Sequence, residues 1–410
     1  MKYVVLLGDG MADEPMPELG GRTPLEVADT SRMDELARRG SLGMARTIPA
    51  GFPPGSDVAN LSVFGYDPRS CYSGRSPLEA ASMGVSLAPE DVAFRLNFVT
   101  LESQDGETVM RDFSAGHIST DEAGKIIETL QSELGDGEFQ FHAGVSYRHL
   151  LVWKGGRDDL GFTPPHDITG QAVAGFRPKG DGAGPLNHLT EKARGILQHH
   201  PVNQERVAAG KRPANAIWLW GHGRAPRMDT LRGKYGISGA VISAVDLIKG
   251  IGIYAGLDVI DVPGATGYLD TDYRAKAHYA LEALKTRDYV YVHVEAPDEA
   301  SHSGNLEEKI RAIEFFDRLV VGTMMDGLPD LGEYRLLVLP DHPTPVAKMT
   351  HTSDPVPFIL FDSTADRVGE KANNNGPSGY NEQSALATGL VLENGYTLMD
   401  RLIRGGTGKT

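Results

Sequence analysis

Cysteine is almost absent from this chain, since its 410 residues include only Cys71. A single cysteine cannot form a disulfide within the chain, which favours a reducing compartment. Long apolar runs are also absent, because no stretch approaches the roughly 18 apolar residues of a membrane span. The first apolar run, residues 3 to 7, is too short for a secretory signal and indicates a strand. We therefore expect a cytoplasmic protein with no membrane partner.

An excess of basic residues is missing too. Lys and Arg number 40 against 55 Asp and Glu, which gives a net charge of −15 at pH 7. A nucleic-acid partner would need a basic face, so the composition disfavours one. It does not exclude a small anionic substrate, because a few convergent arginines and metal ions set the field inside a site. The length predicts about two or three domains.

What the chain does have is a set of three apolar runs, each followed by an aspartate. They are residues 3 to 7 (YVVLL) before Asp9, residues 289 to 294 (YVYVHV) before Asp298, and residues 336 to 339 (LLVL) before Asp341. Nearly continuous apolar strands are typical of a parallel sheet that is covered on both faces. The carboxyl ends of such strands lie along one edge, where ligands bind in α/β proteins. We expect the three aspartates to lie along that edge.

Histidines lie close behind two of these aspartates. His302 follows Asp298 by four residues, His342 follows Asp341 directly, and His351 lies nine residues further on. Aspartate and histidine are ligands that hold Zn or Mn ions for phosphoryl chemistry. Each residue alone has another explanation, as a helix cap, a turn before a proline or a loop histidine. Their joint occurrence favours a metal cluster.

Ser56 is the candidate nucleophile, in the turn PPGSDVAN at residues 53 to 60. A phosphate on this serine would meet the N-terminal N–H groups of the helix predicted to follow. A hydroxyl is a weak nucleophile until a metal ion lowers its pKa. The alternative interpretation is an N-cap serine. The segment lacks the G-x-S-x-G pattern, which disfavours a Ser-His-Asp hydrolase.

The predicted elements indicate an α/β fold that an inserted domain interrupts. Residues 1–84 and 229–410 form a discontinuous domain of alternating strands and helices. One helix is predicted from Thr23, with Pro24 and Glu26 as its N-terminal signals, to a stop at Gly40.

Further helices of the same domain are an amphipathic one over 270–286 and one capped by Asn305 with Glu308. Residues 85–228 form a smaller α+β domain. Its predicted strands are 94–102, 107–114, 139–145 and 147–155, with helices near 120–134 and 186–199.

Several arginines and one histidine could bind a phosphate or a carboxylate. They are Arg75, Arg95, Arg111, Arg148, Arg224 and His117. A guanidinium captures both anions in a planar, bidentate way. The alternative for each arginine is a surface charge, and for His117 it is a cap of the following helix. Neighbouring Gly, Ser or aromatic residues favour Arg75 and Arg148.

The C-terminal GGTGKT at residues 405 to 410 is similar to a phosphate-binding loop. The motif needs glycine where Ile403 stands, and the chain ends where the next helix must begin. We find no intact glycine loop for a nucleotide, which disfavours an ATP-dependent kinase.

Ten segments together resemble the alkaline phosphatase superfamily, and more narrowly the archaeal-type cofactor-independent phosphoglycerate mutases. The segments are LLGDGMAD, GGRTPLE, PPGSDVANLSVFGYDP, SGRSPLEAASMG, SAGHIS, VSYRHLLV, ISAVDLIKGIG, PGATGYLDT, EAPDEASHSG and PDHPTP. The resemblance covers nearly the whole length. It implies a mostly parallel sheet sandwiched by helices, with the insertion holding the substrate.

The resemblance also implies two divalent metal ions, most often Mn, with Zn, Co or Mg as alternatives. The residues that match one metal site are Asp298, His302 and His351, and those that match the other are Asp9, Ser56, Asp341 and His342. Ser56 resembles the serine that carries the phosphoryl group. Lys234, in RGKYG, resembles a lysine that grips that group.

The implied reaction is interconversion of 3-phosphoglycerate and 2-phosphoglycerate without 2,3-bisphosphoglycerate. Alternatives are a phosphotransferase acting on another small hydroxy acid, including homoserine, and a phosphatase with the same serine and metals. A metal-stabilised binding protein with an inert site is the alternative from another class. The oligomeric state is not predicted.

Overall fold

The computed structural model describes residues 1–180, 182–367 and 379–405, so most of the GGTGKT segment lies outside the described residues. The chain divides into two compact units. The first unit is Met1–Tyr72 with Arg227–Thr410, and the second unit is Ser73–Pro226. The sequence placed these boundaries at 84/85 and 228/229, so residues 73–84 fall in the second unit rather than in the first.

The described residues form strands and helices of ordinary length. The strands are β1 (Lys2–Gly8), β2 (Ser41–Ala45), β3 (Val92–Gln104), β4 (Glu107–Asp112), β5 (Phe139–Val145), β6 (Arg148–Trp153), β7 (Ala216–Gly223), β8 (Gly239–Ile242), β9 (Asp258–Val259), β10 (Tyr289–Val294), β11 (Tyr334–Leu339), β12 (Val356–Asp362) and β13 (Val391–Leu392).

The α-helices are α1 (Pro24–Val27), α2 (Ser31–Arg39), α3 (Ser56–Val63), α4 (Pro68–Cys71), α5 (Ser76–Ser82), α6 (Thr120–Leu134), α7 (Ala183–Leu197), α8 (Pro201–Ala208), α9 (Leu231–Tyr235), α10 (Asp246–Tyr254), α11 (Tyr273–Leu284), α12 (Ala296–His302), α13 (Leu306–Phe315), α14 (Gly322–Gly327), α15 (Ser363–Arg367), α16 (Glu382–Ala387) and α17 (Thr397–Arg404). A π-helical segment, Phe316–Val321, joins α13 to α14. Short 3-10 turns cover Pro17–Leu19, Pro165–Ile168, Val173–Phe176 and Leu328–Leu331.

The first unit contains an eight-stranded sheet in the order β13-β2-β12-β11-β1-β10-β8-β9. Neighbouring strands are parallel except where β12 meets β11 and β2. The predicted mostly parallel sheet is therefore confirmed. Strands β11, β1 and β10 lie side by side, and Leu7 of β1 is level with both Leu339 and His293. Their carboxyl ends consequently share one edge.

Helices cover both faces of this sheet. On one face, Val4 and Leu6 pack in a single cluster with Met33 of α2 and Ala277 of α11. On the other face, the ring of Tyr291 stacks on Phe64, which follows α3, at 4.1 Å between ring centres. Strands that are buried on both sides need apolar residues at nearly every position, which explains their continuous apolar runs.

The helix predicted from Thr23 to Gly40 is two helices, so that prediction was wrong in its continuity. Thr23 does cap α1 in a capping box with Glu26, but the backbone is extended at Ala28. The second helix, α2, begins at Ser31, where the buried carboxylate of Asp317 accepts the N–H groups of residues 32 and 33. A side chain distant in sequence thus supplies the new helix start.

The second unit has a five-stranded antiparallel sheet in the order β4-β3-β6-β5, with β7 also paired to β3. Four of its strands lie where the sequence predicted them. The fifth, β7, was not predicted, although residues 217 to 220 (IWLW) are apolar. Helices α6 and α7 pack their apolar faces on this sheet. The predicted helix near 186–199 ends at Leu197, and α8 follows it.

No helix among the described residues has the length and apolar character that crossing a bilayer would require.

Candidate active site

The carboxyl ends of β1, β10 and β11 position the predicted ligand residues of the first unit. Asp9 follows β1 directly, and Asp341 follows β11 after a single proline. Asp298 and His302 both lie on α12. Because the two residues are four positions apart on a helix, their side chains lie on one face.

One group of donors contains Asp9, Asp341 and His342, whose ligand atoms lie within 4.8 Å of one another. Nε2 of His342 is 3.5 Å from Oδ1 of Asp9 and 3.3 Å from Oδ2 of Asp341. Oγ of Ser56 lies 3.1 Å from the same Nε2. The serine is therefore at this group of donors, as the resemblance implies.

The other predicted group contains Asp298, His302 and His351, and the ligand atoms of Asp298 and His351 also lie within 4.8 Å of one of His342. Nε2 of His302 lies 3.2 Å from Oδ2 of Asp298, and Nε2 of His351 lies 3.4 Å from Oδ1 of the same carboxylate. The two Nε2 atoms face each other at 2.9 Å. Rings of His342 and His351 lie 4.0 Å apart, so the two groups are adjacent.

Ser56 is the first residue of α3 and not its N-cap, which is Gly55. The serine side chain accepts no capping hydrogen bond and instead contacts His342. The alternative interpretation of Ser56 as a capping residue therefore fails. Its hydroxyl stands at the amino end of a helix, where the backbone dipoles favour negative charge.

The electrostatics of these carboxylates suit a divalent cation. Burial, together with Asp341 and Asp298, raises the pKa of Asp9 well above its usual value. Oδ1 of Asp9 is buried and has no hydrogen-bond donor among the described residues. Carboxylate oxygens and imidazole nitrogens that converge, with an oxygen that no hydrogen-bond donor satisfies, are ligand atoms that fit Mn or Zn.

Asp298 behaves differently, because two imidazoles face it. Although burial opposes ionisation, the hydrogen bonds from His302 and His351 hold the pKa of Asp298 well below its usual range. The same contact raises the pKa of His302 to about 9. A metal ion would replace these shared protons, because it binds the carboxylate and the neutral imidazoles together.

Four residues that the sequence did not single out hold the predicted ones. Asn60 donates from Nδ2 to the carbonyl of Ser56 and to Oδ2 of Asp341, at 2.8 Å each. Its Oδ1 accepts the hydroxyl of Tyr291. Asn60 lies one helical turn after Ser56, and this spacing was the available signal.

Thr344 and His293 complete this support. Oγ1 of Thr344 donates to Oδ1 of Asp298 at 2.6 Å. Nε2 of His293 lies 2.9 Å from Oδ2 of Asp9. His293 was inside the apolar run of β10, so its pattern indicated core packing and not a contact with a ligand.

Gly10 allows the loop after β1 to approach α12. Its φ is +62°, and a Cβ there would lie 2.7 Å from Oδ1 of Asp298 and 2.6 Å from Oγ1 of Thr344. Both the left-handed backbone and the lack of space require glycine at this position. Its N–H also lies 3.3 Å from Oδ1 of Asp341 as a donor.

Lys234 is in the first unit, but the structure does not bring it beside Ser56. Its Nζ donates to the carbonyl of Gly65 and lies 5.3 Å and 5.1 Å from the ring centres of Tyr66 and Tyr235. Gly65 is beyond the carboxyl end of α3. A rise of about 1.5 Å per residue places that end roughly 12 Å from Ser56.

In the second unit, three of the predicted arginines cluster. The guanidinium groups of Arg75 and Arg95 lie 5.9 Å and 4.7 Å from the ring centre of Trp220. Burial, together with the positive charges of Arg75 and Arg148, lowers the pKa of Arg95 to about 10, although Glu79 opposes this shift. Glu79 pairs with Arg75 and Arg95. The cluster is therefore net positive, which suits an anion.

His117 is linked to this cluster by the ring of Tyr147. Its ring is 6.1 Å from that of Tyr147, and the guanidinium of Arg148 is 5.3 Å from the same ring. His117 is exposed and has a φ of 49°. A second histidine, His166, was not singled out from the sequence. Its ring lies 5.3 Å from that of Trp220. The alternative of His117 as a cap of α6 fails, because Ser119 caps that helix.

Arg224 and Arg111 lie in other contacts. Arg224 forms a bidentate pair with Asp158 and donates to the carbonyls of residues 90 and 156. Its donors thus join loops of the second unit. Arg111 is 3.6 Å from Glu102 in a pair that is 56% exposed on both sides. The structure places neither in the cluster of Arg75, Arg95 and Arg148.

Comparisons with known proteins point to one family. A family model described as 2,3-bisphosphoglycerate-independent phosphoglycerate mutase matches residues 37–203. A protein of Geobacter sulfurreducens named as a probable enzyme of that kind is 59% identical over 403 residues, which are 98% of this chain and 100% of the relative. One from Methanosarcina acetivorans, named as such an enzyme, is 53% identical over 409 residues, 98% of this chain and 100% of the relative.

Solved structures share the fold. A protein from Pyrococcus horikoshii superposes with a TM-score of 0.81 at 30% identity and covers 100% of both chains. The cofactor-independent phosphoglycerate mutase of Thermoplasma acidophilum superposes with a TM-score of 0.65 at 28% identity, over 98% of this chain and 99% of that one. This chain is an enzyme that belongs to the 2,3-bisphosphoglycerate-independent phosphoglycerate mutase family.

Proposed function

We propose that this enzyme interconverts 3-phosphoglycerate and 2-phosphoglycerate through a phosphoserine at Ser56, with two divalent metal ions. The observation that carries the proposal is the position of Ser56. Its Oγ lies 3.1 Å from Nε2 of His342. His342 belongs to one donor group, and its ring is 4.0 Å from His351 of the other. The relatives named as phosphoglycerate mutases support the reaction.

The residues assigned to the metals fit two sites. Asp298, His302 and His351 would hold one ion, and Asp9, Asp341, His342 and Ser56 would hold the other. The bound ions, Mn most often in this family, would lower the pKa of the Ser56 hydroxyl and neutralise charge on the transferring group.

The reaction has two halves that balance. Oγ of Ser56 attacks the phosphorus of 3-phosphoglycerate, the bond from phosphorus to O3 breaks, and the serine proton passes to O3 of glycerate. The O2 hydroxyl of the glycerate then attacks the phosphoserine. The bond from phosphorus to Oγ breaks, and the proton of that hydroxyl returns to Ser56. No net water or nucleotide is consumed.

The chain itself prepares Ser56 for this role. Asn60 fixes the backbone at Ser56 and the carboxylate of Asp341 at the same time. The amino end of α3 favours a phosphate on the first residue of the helix, because the first backbone N–H groups of a helix have no acceptor within the helix. One of them, the N–H of Val58, donates to Oδ1 of Asp57. In the second unit, Arg75, Arg95, Arg148 and His117 are the proposed contacts of the anionic substrate. The role of Lys234 as a contact of the phosphoryl group stays a prediction from the sequence alone.

The test is a coupled assay on metal-stripped protein that is re-supplied with Mn. It follows conversion of 3-phosphoglycerate to 2-phosphoglycerate with no 2,3-bisphosphoglycerate or ATP added. Conversion supports the proposal. Release of phosphate instead would identify a phosphatase, and silence in both readouts would favour another hydroxy acid such as homoserine.

Ser56→Ala tests the nucleophile, and Ser62→Ala is a matched control on the same helix. Ser62 is buried, and its Oγ has no partner among the described residues. We expect Ser56→Ala to abolish turnover and Ser62→Ala to retain it. Mass spectrometry after substrate exposure should find phosphate on Ser56 of the wild type. Mutase activity that survives in Ser56→Ala would overturn the mechanism.

A further inference from the structure

Lys309 of α13 is fully buried, and its ammonium group has three oxygen acceptors. Nζ donates to Oδ2 of Asp13 at 2.7 Å, to the carbonyl of Thr344 at 2.9 Å and to the carbonyl of Ala12 at 3.3 Å. An ammonium has three protons, so this environment satisfies it fully. The side chains of Lys309 and Asp13 are 0% and 1% exposed.

The acceptors belong to the two loops that carry proposed metal ligands. Ala12 and Asp13 close the loop that begins with Asp9, and Thr344 lies two residues after His342. The two loops also contact each other directly. Thr344 donates its N–H to the carbonyl of Ala12 at 3.1 Å, and Oδ2 of Asp13 accepts the N–H of Val346 at 3.1 Å. Lys309 is thus the cation at which the loops meet.

The link continues to the ligands through Thr344. While the carbonyl of Thr344 accepts from Lys309, its Oγ1 donates to Oδ1 of Asp298 and lies 3.2 Å from Nδ1 of His342. One residue therefore connects the buried ammonium with ligands of both proposed metal sites. A shift of the Thr344 backbone would move the partner that orients Asp298 and His342.

A second carboxylate holds Asp13 from the other side. Oε1 of Glu382, at the start of α16, accepts the N–H of Asp13 at 3.0 Å. Its Oε2 accepts the hydroxyl of Thr23 at 2.6 Å. Burial lowers the pKa of Lys309, whereas Asp13 and Glu382 oppose that shift. The ion pair is therefore embedded in a network and is not an isolated contact.

Stability alone is a weak reason for this arrangement. A buried ion pair loses its hydration, and apolar residues of similar volume are often as stable or more so. Fixed geometry is the property that an apolar pair would not provide, because three directed hydrogen bonds define where the two loops lie. Partners of metal ligands commonly serve this purpose.

We propose that Lys309 is a positioning residue that, with Asp13, holds the loop of Asp9 and the loop of Asp341 and His342 in the arrangement that binds two divalent ions. The inference rests on the proposed two-metal function. It assigns Lys309 no contact with the substrate. Its effect passes through Ala12, Asp13 and Thr344 to the ligands.

The test measures Mn²⁺ binding to purified full-length protein by electron paramagnetic resonance of the free ion. Lys309→Met removes the ammonium and keeps most of the length of the side chain. We expect the affinity for Mn²⁺ to fall by roughly 10- to 100-fold, the loss typical when the hydrogen-bonding support of metal ligands is removed. At saturating Mn²⁺ the KM for 3-phosphoglycerate should match that of the wild type, because no substrate contact is lost.

Arg335→Met is the matched control. Arg335 lies at the amino end of β11, opposite to Asp341, and its Nε donates to Oδ2 of Asp362 at 2.6 Å. Its removal breaks another charge pair of the first unit, far from the proposed ligands along the strand. We expect a lower Tm with unchanged Mn²⁺ affinity. An equal loss of affinity in both variants would overturn the inference, since it would reflect general destabilisation.

Two more variants keep the test decisive if Lys309→Met folds poorly. Asp13→Asn retains the shape of the side chain that contacts Lys309 but removes its negative charge. It should lower Mn²⁺ affinity with a smaller loss of Tm. The double variant Lys309→Met/Asp13→Asn removes both charges of the ion pair, so its Tm should exceed that of Lys309→Met while the affinity stays low. Wild-type affinity in Asp13→Asn and in the double variant would overturn the inference. A wild type that binds no Mn²⁺ would instead refute the proposed function.

Discussion

Nε2 of His293 lies 2.9 Å from Oδ2 of Asp9, and both side chains are buried at the centre of the sheet. The other ring nitrogen lies 3.2 Å from the hydroxyl of Ser243, which itself accepts the N–H of Val245. Burial lowers the pKa of His293 to about 3. A neutral imidazole that donates from Nε2 fixes one oxygen of Asp9 and leaves the other, Oδ1, directed at the proposed metal site.

His293→Phe should therefore weaken binding of Mn²⁺ by roughly 10- to 100-fold, because Asp9 loses its orienting partner. Electron paramagnetic resonance of free Mn²⁺ measures this affinity. His278→Ala is the control, since His278 is an exposed histidine of the same unit. Equal affinities in wild type and His293→Phe would show that Asp9 needs no such partner.

Asn60→Leu should lower kcat by at least about tenfold, because Ser56 and Asp341 lose a shared hydrogen-bond donor. Steady-state kinetics at saturating Mn²⁺ measure the change. Tyr291→Phe removes only the hydroxyl that Asn60 accepts, so it should cost less. A larger effect of Tyr291→Phe than of Asn60→Leu would contradict this assignment.

Arg148→Met should raise the KM for 3-phosphoglycerate by about 10-fold or more, since a hydrogen bond to a charged group contributes about 1.5–3 kcal/mol. Arg148 is exposed, so the Tm should change little. Arg224→Met should do the reverse, because that side chain pairs with Asp158 and joins loops of the second unit. Kinetics and thermal unfolding of both variants measure the contrast. A raised KM in Arg224→Met with none in Arg148→Met would invert the assignment of the two arginines.

The unfolding free energy should fall as the pH drops from 7 to 5, partly because of His149. Burial lowers the pKa of His149 to about 4, while its value in the unfolded chain is about 6.5. Between these values the unfolded state takes up a proton that the folded state does not. Acid therefore favours unfolding in that window, by about 2 kcal/mol at pH 5 for this one group.

His149→Asn provides the comparison. An asparagine oxygen can accept the N–H of Gly144, as Nδ1 of His149 does at 3.0 Å. Urea unfolding at pH 7 and pH 5 should show a smaller pH dependence in this variant than in the wild type. Identical dependence in both would show that His149 does not contribute.

The sequence by itself determined the mostly parallel sheet, the strand ends that carry Asp9 and Asp341, and the helix that follows the turn at Ser56. These features depend on local patterns. An apolar run of four to six residues specifies a strand buried on both faces, and its end specifies where a polar side chain stands. The family motifs lie in the same short segments, so the family too followed from the sequence.

Only the tertiary structure decided which side chains orient the ligands. Asn60 meets Asp341 across 281 positions, His293 meets Asp9 across 284, and Lys309 meets Asp13 across 296. No local pattern encodes such contacts, because they depend on which strands and loops become neighbours. The same reason explains the break between α1 and α2, where Asp317 caps a helix from 285 residues away. Tertiary packing also explains why the ammonium of Lys234 lies at Gly65. The position of that group depends on how α9 packs and not on the local motif RGKYG.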